Sequence, residues 1–146
     1  MDIEIKISSE YKIPKVIILT EKVTDEINSL VAKLSEEVPQ YVCGFKDSIM
    51  QILEQDEIIR IFSVKGKVMA ITKEGEFVIR HRLYEMEERL NSSMFVRISN
   101  SEIINLKKVK NFDMNITGTI RVTFEDKSTA YVSRRYVSKI KKILGL

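Results

Sequence analysis

The chain has 146 residues, 44% hydrophobic and 31% charged, with a formal net charge of +3 and one cysteine. That length suits a compact domain with a sizeable core and a small appendage, and the balance excludes a disordered chain. No apolar run approaches the ~20 residues that span a bilayer. A lone Cys43 excludes an internal disulfide, and the acidic, alternating opening MDIEIKISSE is neither a secretory signal nor a transit peptide, so a cytoplasmic location is expected.

DIEIKI, residues 2–7, alternates and predicts a half-buried strand. KVIIL, residues 15–19, is a continuous apolar run that predicts a buried strand, with Pro14 at its start. Then the period changes. Val23, Ile27, Leu30, Val31 and Leu34 recur at three- and four-residue steps, the pattern of an amphipathic helix capped by Thr20 or Thr24 and ended by Pro39. These elements make a small N-terminal β-β-α unit, assigned to residues 1–45. Residues 46–146 form the second domain.

YVCGF and SIMQIL are short strand candidates, and DEIIRIFSV, residues 56–64, is a stronger one. Gly66 in the Lys65-Gly66-Lys67 turn is free to take positive φ. VMAIT follows, and KEGE turns the chain into FVIR, so residues 56–80 read as a three-stranded meander. In RLYEMEERL, residues 82–90, Leu83, Met86 and Leu90 share one helical face, and Glu85, Glu87 and Glu88 the other. Strands are expected again at MFVRIS, KVKNFDM, GTIRVTFED and STAYV, with turns at residues 113–118 and 125–128. SEIINL is a short apolar element whose type the pattern leaves open. RRYVSKIKKILG closes as a helix with Ser133 as N-cap, an apolar stripe of Tyr136, Val137, Ile140 and Leu144, and Gly145 as its stop. The fold class is mainly β with short helices (α+β).

Charge is unevenly placed. From Arg97 onward lie 11 of the 24 basic residues and 4 of the 21 acidic ones, so this third carries +7 and the remainder −4. Such a bias suits either a polyanion partner or a solvated basic face. Enzyme templates find no footing. Cys43 beside Gly44 reads as a structural strand residue. His81, between Arg80 and Arg82, has no partner at metal-ligand spacing, and five glycines form no phosphate loop. No catalytic residue, metal or cofactor is expected. What remains is VSRRYVSKIKKIL with FVRISNSEIINLKKV. Arginine is shaped for bidentate contact with guanine or phosphate. At a helix start, Arg134 and Arg135 stand beside unpaired N–H groups that favour anions. The alternative is an ion pair within the domain, with an acid such as Asp126.

The run Phe95-Val96-Arg97-Ile98-Ser99-Asn100-Ser101-Glu102-Ile103-Ile104-Asn105-Leu106, then Val109, then GTIRVTFEDKSTAYVSRRYV, closely resembles the LytTR DNA-binding domain. That family reads as phenylalanine–apolar–arginine, a short polar group with serine, an apolar pair before asparagine, and a strand ending in serine–basic–arginine–tyrosine. The resemblance covers residues 54–146, and the whole chain looks like the small stand-alone LytTR regulators of Firmicutes. It implies a stack of antiparallel sheets with a C-terminal helix, in a sequence-specific transcriptional regulator. Its loops, not a recognition helix, enter successive major grooves of paired direct repeats. The implied base-reading positions are the Lys65-Gly66-Lys67 turn, Asn100 within the polar group that includes Ser99, and Arg135. Ser133, Arg134, Lys107 and Lys108 are implied phosphate contacts. Arg97 has two readings, DNA contact or pairing within the domain. The implied partners are double-stranded promoter DNA, a second copy of the chain, and a small membrane protein from the same operon.

Two departures stand out. Val64-Lys65-Gly66-Lys67 is shorter than the loop of many members, so its lysines suit phosphate as well as bases. Arg97-Ile98-Ser99-Asn100-Ser101 replaces the common arginine–valine–histidine–arginine–serine. The short turn supports a rival expectation, a non-enzymatic interaction or anti-regulator module that keeps the scaffold. With no receiver domain expected, aspartyl phosphorylation is not the expected switch, and residues 1–45 are expected to dimerise or to dock on a membrane partner.

Overall fold

The computed structural model describes residues 1–35, 41–115 and 117–146, which fall into two units, Met1–Val38 and Pro39–Leu146. The first unit holds helix α1 (Asp25–Ser35). Thr24 caps it. The Thr24 hydroxyl accepts from the Ile27 N–H at 3.3 Å and its carbonyl from the Asn28 N–H at 2.9 Å, filling the bonds that a helix start leaves open. The strands expected at residues 2–7 and 15–19 do not form, and Ile3, Ile5, Ile7, Ile17 and Leu19 are exposed. Alternation marks a face fit for burial, but a strand exists only where another satisfies its N–H and C=O groups. The described part of this unit offers none. Pro39, expected to end the helix, lies outside the described residues.

The second unit begins with β1 (Val42–Lys46), β2 (Ile49–Leu53), β3 (Arg60–Val64), β4 (Lys67–Thr72) and β5 (Gly75–Ile79), then α2 (Leu83–Arg89). It continues with β6 (Phe95–Ser99), β7 (Glu102–Asn105), β8 (Val109–Asp113), β9 (Ile120–Phe124), β10 (Thr129–Val132) and α3 (Arg134–Ile143). The expected meander is β3-β4-β5, although its first residues form a 3-10 turn, Gln55–Glu57, instead of strand. The apolar element of open type is β7. The strands make two antiparallel sheets, one ordered β2-β1-β5-β4-β3-β7-β6 and one β10-β9-β8. Two-residue hairpin turns with left-handed residues shape the larger sheet: Asp47 and Ser48 (φ 50° and 68°), and Lys65 and Gly66 (φ 50° and 77°). Such turns match the twist of the strands they join.

Both faces of the larger sheet are covered at its β3-β7-β6 end. Ile58, Ile61, Phe95 and Ile103 enter a core with Leu83, Met86 and Leu90 of and beside α2. Their sequence neighbours Ile59, Val96 and Ile104 enter a second core with Ile120, Val122 and Phe124 of β9, Val132 of β10 and Ile140 of α3. Two polar groups are built into this double packing. Asn105 is fully buried; its side-chain amide donates to the Ile58 carbonyl at 2.8 Å and its Oδ1 accepts from the Lys107 N–H at 2.9 Å. Arg60 joins the sheets, donating to the Thr129 carbonyl at 3.2 Å and lying 5.7 Å from the Phe124 ring centroid. Helix α3 ends in the expected left-handed Gly145 (φ 74°), with Leu146 N–H donating to Lys141 O and Gly145 N–H to Lys142 O. No helix among the described residues is long and apolar enough to cross a membrane.

Replacing Asn105 by alanine strands the buried Ile58 carbonyl and removes the partner of the part-buried Lys107 N–H. The expected cost is about 1–3 kcal/mol, read as a lower urea midpoint at unchanged slope. An unchanged midpoint would show that this tie carries no stability.

Candidate nucleic-acid interface

Three backbone or side-chain links gather separate segments at one edge. β3 pairs antiparallel with β7, Phe62 opposite Glu102, and the Ser63 N–H donates to the Ser101 carbonyl at 2.8 Å. The β3–β4 turn and the β6–β7 turn therefore lie at the same end of the sheet. The Ser133 N–H donates to the Ile98 carbonyl at 2.9 Å, which brings the start of α3 to the same place. The Tyr136 hydroxyl closes the set by donating to Asn100 Oδ1 at 3.3 Å. The segment before β9 joins them: the Thr119 hydroxyl bonds the Val132 carbonyl. Gly118 sits so near Arg134 that a Cβ there would lie 2.8 Å from Nε.

Lys65, Gly66, Lys67, Asn100, Arg134 and Arg135 are all exposed on this edge, and Ser99 and Ser133 are half-buried within it. Ser99 Oγ accepts from the Ser101 N–H at 3.2 Å and tightens the turn. Ser133 occupies the N-cap position of α3 as expected, but its hydroxyl makes no capping bond, leaving it free toward solvent or ligand. Lys107 and Lys108 are not part of this cluster. They follow β7 at its far end, about 13 Å from the β6–β7 turn at the usual strand rise. Lys107 Nζ is 3.8 Å from Asp56, and Lys108 lines a cleft with Glu57, Glu125 and Asp126.

Arg97 makes the contacts of its internal reading. Its side chain is only 17% exposed. Nη1 pairs with Glu87 of α2 at 2.9 Å, Nε donates to the Ser99 carbonyl at 3.0 Å and Nη2 to the Asn100 carbonyl at 2.6 Å. The guanidinium thus wraps the turn from beneath, next to a register shift between Arg97 and Ser99 that leaves Ile98 inward and fully buried. Asn100 is held from both sides: by Arg97 through its carbonyl and by Tyr136 through its side chain. Tyr136 and Glu87 are positioning residues that the sequence showed only as a helix stripe and a solvated acid. No local signal marks either role.

Behind the edge, Glu102 of β7 faces Arg60 of β3 at 3.5 Å. Burial pushes its carboxyl above the ordinary carboxylate range, and Arg60 pulls it partly back. A raised carboxyl favours the folded state at acid pH, and that contribution fades as pH rises through the shifted value. At the start of α2, the His81 ring 3.2 Å away and the Arg82 N–H lower the carboxyl of Glu85.

Residues 48–145 match the LytTr DNA-binding domain family. Proteins described as HTH-type transcriptional regulators of Staphylococcus aureus strains NCTC 8325 / PS 47 and N315 are each 30% identical over 126 residues, covering 86% of this chain and 85% of theirs. The helices described here are separated by strands, so no two of them make a helix-turn-helix pair. Among solved structures, the LytTr DNA-binding domain of a Bacillus cereus protein superimposes with a TM-score of 0.70 at 20% identity, over 73% of this chain and 98% of that one. The likeness confirms the mainly antiparallel fold.

Arg97→Ala is expected to release the β6–β7 turn. The loss of a part-exposed pair and two charge-assisted bonds to carbonyls should cost about 1–2 kcal/mol. Amide exchange at residues 99–101 should quicken out of proportion to the rest of β6, and uniform exchange across the sheet would refute this role for Arg97.

Proposed function

The chain belongs to the LytTr DNA-binding domain family and is a DNA-binding transcriptional regulator; from that premise we propose that the edge just described reads successive major grooves of paired direct repeats. In this reading Asn100 and Arg135 contact base edges, Asn suiting adenine and Arg guanine. Arg134 and Ser133 hold phosphate and set the register. Lys65 and Lys67, on a rigid two-residue turn, reach backbone or base in the neighbouring groove. Lys107 and Lys108, expected as phosphate contacts, lie at the far end of β7 and take no part in this edge. The protein acts in the cytoplasm as a homodimer, one edge per repeat.

The observation that carries the proposal is the convergence of Asn100, Arg135 and the 65–67 turn on one edge through the Ser63–Ser101, Ser133–Ile98 and Tyr136–Asn100 bonds. A helix-insertion mode is unfavourable here, because α3 is docked through the fully buried Ile140 with Tyr136 and Val137 packed beside it. The short β3–β4 turn favours the second reading, an interaction module on the same scaffold, and DNA retention decides between them.

Binding-site selection from a random DNA pool should return two copies of a short motif spaced about one helical turn, roughly 10 base pairs, apart. On that DNA, Arg135→Ala should lose about 1–3 kcal/mol and relax preference at one base pair. Arg134→Ala should weaken all sequences alike and lower the salt slope by about 1. Absence of salt-sensitive retention by the wild-type chain at low salt would sink the proposal.

A further inference from the structure

Residues 2–7 of the smaller unit carry a pattern that the DNA-reading edge does not use. Ile3, Ile5 and Ile7 are 87%, 81% and 94% exposed, on a segment without a ladder partner among the described residues. Between them, Lys6 Nζ lies 3.9 Å from Glu4 Oε1, so the two charges share one side, as alternate residues of a strand do. Three isoleucines on one face and an acid–base pair on the other make a strand that lacks only its neighbour.

We infer that the neighbour is the same segment of a second copy, paired antiparallel about Ile5. The charge pattern selects this register. Centring on Ile5 sets Ile3 opposite Ile7 twice, Ile5 opposite its own copy, and Glu4 opposite Lys6 twice. Centring on Glu4 opposes two glutamates, and centring on Lys6 opposes two lysines. A shift by half that step sets isoleucines against charges, and parallel in-register pairing stacks Glu4 on Glu4 and Lys6 on Lys6. Opposite charges and β-branched pairs stabilise facing positions, and like charges destabilise them. The Ile5-centred ladder alone meets both conditions, and it has the two-fold symmetry of a closed dimer. A bare two-stranded ribbon is marginal in water, so its isoleucine face needs cover. The stripe Ile27, Leu30, Val31 and Leu34 of α1 offers it. Val31 and Leu34 are exposed, and a helix of 11 residues is about 16 Å long against about 20 Å for the ribbon. The inference rests on the dimer in the proposed function and not on the DNA contacts.

Light scattering on the full chain tests it by charge exchange. The wild type should give about 34 kDa, twice the 17.0 kDa chain. Glu4→Lys alone and Lys6→Glu alone each set like charges opposite one another and should give 17.0 kDa. Mixed in equal amounts, they restore both opposite-charge pairs and should return to the dimer mass. A monomeric wild type, single variants that stay dimeric, or a mixture that stays monomeric each overturn the ribbon. Specific DNA retention by a monomer would defeat the ribbon alone. An exchange-competent dimer that retains no DNA would defeat the DNA reading alone.

Discussion

Burial of the β6–β7 hairpin on both faces is the constraint from which the rest of the larger unit follows. Phe95 and Ile103 go to the α2 core while Val96 and Ile104 go to the core shared with the second sheet and α3. Apolar packing on both sides keeps much of the hairpin dry, so its inward polar groups gain from built partners. Arg97 points toward α2 and finds Glu87; Asn105 finds the Ile58 carbonyl and the Lys107 N–H. The exposed polar residues of the hairpin are Asn100 and Ser101, where it turns and leaves the protein. That turn is the place where the fold can present Asn100 to a ligand.

The same double burial explains which elements could be read from the chain. β3, β4 and β5 are joined by short turns with clear residues, and α3 carries a three-four stripe, a capping position and a terminal glycine. All four depend on local pattern, and all four form. β7, with EIIN, shows no alternation because Ile103 and Ile104 are both buried, and a continuous apolar run does not distinguish strand from helix. The opposite error occurs at residues 2–7, where perfect alternation has no partner within the described unit. Period states what a strand would bury and is silent on what it would pair with.

The candidate site divides in a similar way. Its residue types were visible, since an exposed asparagine, paired arginines and a lysine-flanked turn have few uses in a packed domain. Their grouping was not, because it depends on β3 lying beside β7, a pairing across about 40 residues of chain. Lys107 and Lys108 show that nearness in sequence is not nearness in the sheet. They follow Asn100 closely, and one short strand then carries them to the other end of the sheet. Tyr136 appeared as one member of an apolar stripe; its ring does pack there, and its hydroxyl makes the one direct side-chain link between α3 and the β6–β7 turn among the described residues.

Basic charge in the C-terminal third is therefore an upper bound on what a polyanion meets. Arg97 is paired with Glu87, Arg121 with Asp113 at 3.0 Å, and Lys107 lies near Asp56. Arg134 and Arg135 remain exposed beside a turn fixed from below by one arginine and from the side by one tyrosine. Fixing matters more than charge for reading sequence. A bidentate contact tolerates little displacement, and a side chain ordered before the partner arrives loses less entropy on binding. In the proposed reading, the arginine turned inward is thus the one that holds its neighbours for discrimination. Arg97 determines where Asn100 stands, and Asn100, through Tyr136, ties the position of the Arg134-Arg135 pair to the same rigid sheet.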